Sequence, residues 1–183
     1  MEVMKTAVLK DGRQLTIRDA RAADAAAVIE YVKRVAGESD NLTFGAEEFK
    51  VTPEQEVEII EQHFAADNMV FLIGLIDGEV AAMLNFQGGT KRRTRHSGEF
   101  GISVRESFWG QGVATAMLQA LLGWAKGTGV VRKINLRVRT DNQSAIHVYK
   151  KLGFTEVGRI SREFLIDGVF YDTYLLEIEI DEA

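Results

Sequence analysis

The sequence contains no cysteine and a single proline among 183 residues. Without a thiol there is no disulfide, no thiolate nucleophile and no Cys-ligated metal. The histidines, His63, His96 and His147, stand far apart and lack the spacing of a zinc site, so no metal is expected. No apolar run reaches the length of a membrane span. Residues 1–10 lack the apolar stretch and cleavage site of a signal peptide. These absences leave no membrane partner and make the cytoplasm the default location. Basic charge is also short: 22 Lys and Arg stand against 27 Asp and Glu, a net charge of −5. That disfavours nucleic-acid binding, which needs a basic face. The acidic balance suits an amine substrate and plain solubility alike.

What is present is enough apolar material, 46% of residues, for one substantial core. No repeat, low-complexity tract or linker divides the chain. A single domain over residues 1–183, with its core about 15–180, is therefore expected.

Local signals order the elements. Residues 15–18 read as a first strand, and the Ala-rich stretch 22–35 as a helix. Residues 37–51 are polar and irregular. A second helix begins at Thr52, which can cap, with Pro53 at the first helical position and Gln55 completing a capping box. Two strands, 70–76 and 79–86, flank Asp77-Gly78, a hairpin signal. After the break at Gly88-Gly89 come a further strand, 99–104, a glycine turn opening a helix over 110–126, and an alternating strand, Lys133–Arg139. A helix from Asn142 stops at Gly153, and the strands Thr155–Ile166 and 170–180 surround a second hairpin signal, Asp167-Gly168. Hairpins at both ends exclude a repeating βαβ barrel. The pattern predicts an α/β (α+β) fold with a mixed, mostly antiparallel central sheet and helices on both faces.

The sharpest local feature is the run Phe108-Trp109-Gly110-Gln111-Gly112-Val113-Ala114-Thr115, between a strand and an amphipathic helix. The first amides of a helix lack internal partners and carry the positive end of its dipole. Small residues there let a phosphate approach the backbone. A nucleoside-triphosphate loop would need Lys-Ser/Thr where Val113 and Ala114 stand. A dinucleotide fingerprint would need a third glycine where Thr115 stands, and an acid near the basic stretch 131–133. Two readings stay open on the turn alone: a pyrophosphate cradle, and a glycine-rich helix start that binds nothing.

The second feature is Asn142, Ala145, Tyr149, Gly153 and Phe154, with Asn142 and Tyr149 on one helical face. By itself Tyr149 also reads as a core tyrosine with its hydroxyl at the surface. Taken together, the two features resemble the GNAT (GCN5-related N-acetyltransferase) superfamily. Its acetyl-CoA motif, Arg/Gln-x-x-Gly-x-Gly/Ala, is matched at Gly112 and Ala114, with Trp109 departing from the first position. Its next motif, Asn-x-x-Ala-x-x-x-Tyr followed by Gly-Phe, is matched throughout. The resemblance covers about 15–180 and is strongest over 99–154.

The resemblance implies an acetyl-CoA-dependent N-acetyltransferase acting on a primary amine by direct attack, without a covalent enzyme intermediate. Acetyl-CoA is the co-substrate. The family's splayed strand maps onto 99–104, with pantetheine on the backbone of Ile102, Ser103 and Val104. The pyrophosphate falls on Gln111, Gly112, Val113, Ala114 and Thr115, and Asn142 touches the cofactor. Val104 would supply an N–H to the oxyanion, and Tyr149 would be the general acid for the departing thiolate. Glu99 is the candidate general base; it reads equally as a solvated strand-end carboxylate. Glu47 and Glu48, His96, the run Lys91-Arg92-Arg93, and Arg137 with Arg139 read as exposed surface. A homodimer is suggested at family level only. A non-catalytic acyl-CoA-binding module is the alternative, and Tyr149 speaks against it, because binding alone needs no acid.

Overall fold

The structure, a computed structural model, describes residues 2–45 and 47–181. Eight strands form one sheet: β1 (Met4–Val8), β2 (Gln14–Asp19), β3 (Met69–Ile76), β4 (Glu79–Gly88), β5 (Ser97–Val104), β6 (Lys133–Arg139), β7 (Thr155–Ile166) and β8 (Val169–Glu179). Their order across the sheet is β1-β2-β3-β4-β5-β6-β8-β7. Every neighbouring pair is antiparallel except β5 with β6. Four α-helices cover the faces: α1 (Ala25–Val35), α2 (Pro53–Ala65), α3 (Val113–Thr128) and α4 (Gln143–Lys151). No helix among the described residues is long and apolar enough to cross a membrane.

Strand alternation divides the core in two. Val70 and Leu72 of β3 and Leu84 and Phe86 of β4 join Met117, Leu118, Leu121 and Trp124 of α3, with Ile146 and Tyr149 of α4. Phe71 and Ile73 face the other way, onto Val28, Tyr31 and Val32 of α1 and Ile60 of α2. Each helix therefore needs only one apolar stripe.

Sequence and structure part company at a few ends. The edge strand β1 is not announced by the sequence, because most of its residues are exposed and show no alternation. The first helix opens with a 3-10 turn, Ala22–Asp24, before α1. α3 starts at Val113, after two glycines with positive φ rather than at the first of them. The capping box of α2 forms as its sequence predicts: Thr52 Oγ1 accepts from Gln55 N at 3.3 Å and Gln55 Oε1 accepts from Thr52 N at 2.9 Å.

α2 also buries two ionisable groups, Glu56 and His63, against Ile60 and the sheet. Glu56 is 4% exposed. Burial pushes its carboxyl above the ordinary value of 4.5, and burial pushes His63 down. A carboxyl raised in the fold binds its proton more tightly there than in the unfolded chain. Its stabilising effect is complete below the unfolded value and lost as pH rises through the folded one. Glu56→Gln is therefore expected to stabilise the protein at pH 7 by about 1 kcal/mol, roughly 2–4 °C in Tm. Scanning calorimetry should show the gain disappearing below pH 4.5; an equal gain at both pH values would overturn the account.

Candidate active site

β5 and β6 pair at one end only. Their parallel register runs Ser97–Lys133, Gly98–Ile134 and Glu99–Asn135, and stops. Asn135 clasps that end: its Nδ2 donates to the Gly98 carbonyl at 3.0 Å and to Ser97 Oγ at 3.1 Å. Beyond it, β5 keeps its ladder to β4 and β6 keeps its ladder to β8, but the two do not pair with each other. A wedge opens between them.

The wedge is lined by main chain on the β5 side. Arg105 N donates to Ala81 O at 3.0 Å. By antiparallel alternation this turns the backbone of Ile102 and Val104 into the wedge and that of Ser103 onto Met83 of β4. Ser103 contributes its side chain to the opposite face, where Oγ lies 2.9 Å from the hydroxyl of Tyr31 on α1. Burial raises the Tyr31 hydroxyl above its ordinary range.

On the α3–α4 face, a 3-10 turn, Glu106–Phe108, leads from β5 into the glycine turn. Trp109 Nε1 donates to Val104 O at 2.8 Å and folds the turn back over the strand. Gly110 and Gly112 have φ of +72° and +95°, a conformation glycine adopts without strain. Gly112 is the N-cap of α3 and no side chain caps this end. The first-turn amides of Val113, Ala114 and Thr115 thus lack intrahelical acceptors at the positive end of a 16-residue helix. A Cβ on Gly112 would meet nothing within 4 Å, so the space before these amides is open. The Val113 side chain is buried, and its backbone is what the turn presents. Gln111 turns its carbonyl to Lys10 N at 3.3 Å. Its side-chain Oε1 is buried without a partner.

Asn142 caps α4, with Oδ1 accepting from Ala145 N at 3.2 Å, and this leaves its Nδ2 to donate elsewhere. Tyr149 sits edge-on to Phe100 and Phe154, with ring centroids 6.0 and 5.9 Å away. Phe100 is the first residue of β5 past the last paired register, so Tyr149 lies at the apex of the wedge. Burial pushes its hydroxyl up to about 12, which keeps the proton on the oxygen throughout the neutral range.

The α1–α2 face of the wedge is charged. Arg137 Nε donates to Glu99 Oε1 at 2.9 Å and its Nη1 to Glu163 Oε1 at 2.6 Å. Thr173 Oγ1 donates to the second oxygen of Glu163. Glu163 reaches in because β7 is irregular between Ile160 and Phe164. Arg162 there has φ +55° and its amide donates to Asp172 Oδ1 at 2.9 Å. The bulge re-aims the side chain that follows it. Arg139, expected at the surface, is only 9% exposed. It grips Asp141 through Nε at 3.0 Å and Nη2 at 2.6 Å, and its guanidinium lies 3.9 Å over the ring of Tyr171.

Other sequence candidates fall away from the wedge. Glu47 is exposed, and the Glu48 carboxylate accepts from Gly45 N at 2.7 Å. His96 stands at the closed end of β5 and β6, where its carbonyl accepts from Arg132 and Lys133, and residues 91–93 form an exposed turn before it. Three residues at the site carry no local sequence signal: Tyr31, Asn135 and Glu163. Each acts through a partner distant in sequence, or through a bulge that alternation does not announce.

Three comparisons bear on this geometry. The sequence profile of the Acetyltransferase (GNAT) family matches residues 38–154. An L-amino acid N-acetyltransferase of Escherichia coli is 33% identical over 105 residues, 57% of this chain and 65% of that protein, slightly under two thirds of its length. An N-alpha-acetyltransferase of Sulfurisphaera tokodaii is 29% identical over 181 residues, 94% of this chain and 98% of that one. Among solved structures, a GNAT-family acetyltransferase from Streptococcus pneumoniae superposes with a TM-score of 0.89 at 30% identity, covering 91% of this chain and 99% of that chain.

Proposed function

The chain belongs to the acetyltransferase (GNAT) family; on that premise we propose that it is an acetyl-CoA-dependent N-acetyltransferase and that the open wedge between β5 and β6 is where a primary amine attacks the acetyl thioester directly. The observation that carries this reading is the unpaired stretch of β5. It has helix-terminal amides and Tyr149 on one face, and Glu99 with its ion-pair network on the other. Relatives named as an L-amino acid N-acetyltransferase and an N-alpha-acetyltransferase support a primary amine as the acceptor.

In this reading the pyrophosphate of acetyl-CoA lies on the amides of Gly112, Val113, Ala114 and Thr115, with Gln111 leading into them. Pantetheine runs down the wedge along Val104 and Ile102, and Asn142 donates to it through Nδ2. Ser103 contributes through its bond to Tyr31, because its own backbone faces β4. Val104 and Phe100 are four residues apart, about 13 Å of strand. The thioester, brought beside Tyr149 at the level of Phe100, is therefore closer to the Ile102 N–H than to that of Val104. This moves the oxyanion donor one gap-facing residue inward.

The acceptor enters as an ammonium and must lose a proton to become nucleophilic. Glu99 takes that proton, directly or through a water. The neutral nitrogen attacks the thioester carbon, and the oxyanion that forms is held by main-chain N–H. As the C–S bond breaks, the attached nitrogen gives up its second proton to solvent and Tyr149 donates its own to sulfur; solvent then restores the tyrosine proton and takes the proton held by Glu99. No group on the protein is acylated.

Three variants test these roles. Gly112→Glu meets no atom at its Cβ, although φ +95° strains any L side chain there, and it puts a negative charge where the pyrophosphate lies; Gly112→Ala carries the same strain without the charge and serves as its control. Calorimetric titration should show acetyl-CoA affinity falling at least about tenfold, and unchanged affinity in a folded variant would refute the placement. Tyr149→Phe keeps the ring packing and removes only the proton donor. Thiol release at saturating acetyl-CoA should fall at least about tenfold, whereas an unaltered chemical step would return Tyr149 to a packing role alone. Glu99→Gln should lower kcat/KM about tenfold at pH 7, with the deficit shrinking toward pH 10 as the amine loses its proton unaided. A deficit independent of pH would mean that Glu99 serves only its ion pair.

A further inference from the structure

Residues 38–40 follow α1 directly and lie on the acceptor face, yet they touch the lead-ins of both helices on the cofactor face. Glu38 Oε1 receives Arg105 Nε at 2.8 Å, and its Oε2 receives the Glu106 amide at 2.8 Å. Two residues on, the Asp40 carbonyl accepts from Arg139 Nη1 at 3.0 Å. Arg105 and Glu106 are the first residues after β5, and they open the turn that ends in Gly112. Arg139 ends β6; its carbonyl accepts from Asn142 N at 3.0 Å, and its guanidinium holds Asp141. One short segment thus bridges the two strands where they no longer bridge each other.

The contacts made by Glu38 are those of a missing cap. The 3-10 turn Glu106–Phe108 has Arg105 at its N-cap position and no side-chain cap of its own. The Glu38 carboxylate supplies the acceptor from outside, and a charge-assisted bond at a turn's N-terminus is of the stronger kind. The side chains of Glu38 and Arg105 are 20% and 19% exposed, so solvent screens this pair less than a surface one. The same turn carries Trp109, which bonds Val104 O, and then the two glycines with positive φ. Displacing Arg105 and Glu106 would therefore displace the amides at the start of α3 relative to β5.

We propose that Glu38 is a positioning residue for the cofactor loop, and that through Glu38 and Asp40 the binding of acetyl-CoA and the ordering of the acceptor-side segment after α1 are coupled. The inference rests on the reading that the pyrophosphate lies on the first turn of α3. Coupling of this kind is reciprocal: whatever residues 38–40 add to cofactor affinity, the cofactor adds to the stability of that segment.

The test compares the parent, Glu38→Gln, Arg105→Gln, the double variant of these two, and Gly112→Glu. Acetyl-CoA affinity is measured by calorimetric titration, and amide exchange of residues 37–45 is followed with and without acetyl-CoA. Glu38→Gln and Arg105→Gln should each weaken acetyl-CoA binding about 5- to 50-fold. The double variant should lose no more than either single one, because both remove the same contact. Turnover at saturating acetyl-CoA should fall by less than affinity does. Acetyl-CoA should slow exchange in residues 37–45 of the parent and not of Glu38→Gln. If Gly112→Glu loses affinity while both ion-pair variants bind like the parent, the proposal is overturned and the cofactor placement stands. If Gly112→Glu itself binds like the parent, the placement fails and the proposal fails with it.

Discussion

Two adjacent strands that stop pairing leave main-chain N–H and C=O groups without partners, and such groups must be satisfied by something. Here that obligation falls on the gap-facing residues, Phe100, Ile102 and Val104 of β5 and Arg137 and Arg139 of β6. The strands cannot close on each other, because each is held from behind: β5 by its full ladder to β4, and β6 by its full ladder to β8. Asn135 fixes the point of parting with two bonds across the last register. The sheet order contributes directly. β8 inserts between β6 and β7, so an antiparallel hairpin rather than a free edge stands behind the diverging strand. The wedge is thus a product of pairing on its two outer sides.

Once the wedge exists, strand alternation sorts chemistry between its faces. Phe100, Ile102 and Val104 turn their side chains toward α3 and α4 and join the larger core. Glu99 and Ser103 turn theirs toward α1 and the ion pairs. The first face offers amides at a helix N-terminus, which favour negative charge. The second carries two carboxylates, Glu99 and Glu163, around one guanidinium, an excess of negative charge that favours a cation. In the proposed reading, an anionic co-substrate and a cationic acceptor would be drawn to opposite sides of one sheet opening.

The legibility of these parts in the sequence follows their range. The glycine turn, the capping box at Thr52 and the Asn142 cap are local: each joins residues three or four positions apart, and each was readable from residue types alone. The splaying of β5 from β6 is not local, and no pattern within either strand encodes it; it was available only through resemblance to a family. Glu38 meets its partners 67 and 68 positions away, and Asp40 meets Arg139 across 99. Arg139 read as surface because a charged residue alternating with apolar ones on a strand ordinarily is. The aromatic ring of Tyr171 and the carboxylate of Asp141 make its burial tolerable, and neither is visible from β6 itself. Glu163 was hidden by the bulge, which breaks the alternation that assigns a strand residue to a face.

The packing of Tyr149 is compatible with the chemical role proposed for it. Its ring is wedged between Phe100 and Phe154, as a core tyrosine's would be. The same burial that makes it core pushes its hydroxyl up to about 12. The raised hydroxyl is a weaker acid than a free tyrosine, and a departing thiolate is a weaker base than an alkyl amine. In the proposed reading, burial keeps the proton on the oxygen, and its transfer to sulfur would rest on position rather than on acid strength. The ring packing sets Tyr149 against Phe100, the first residue of β5 past its last register with β6, so the residue proposed as the acid stands where the two strands part.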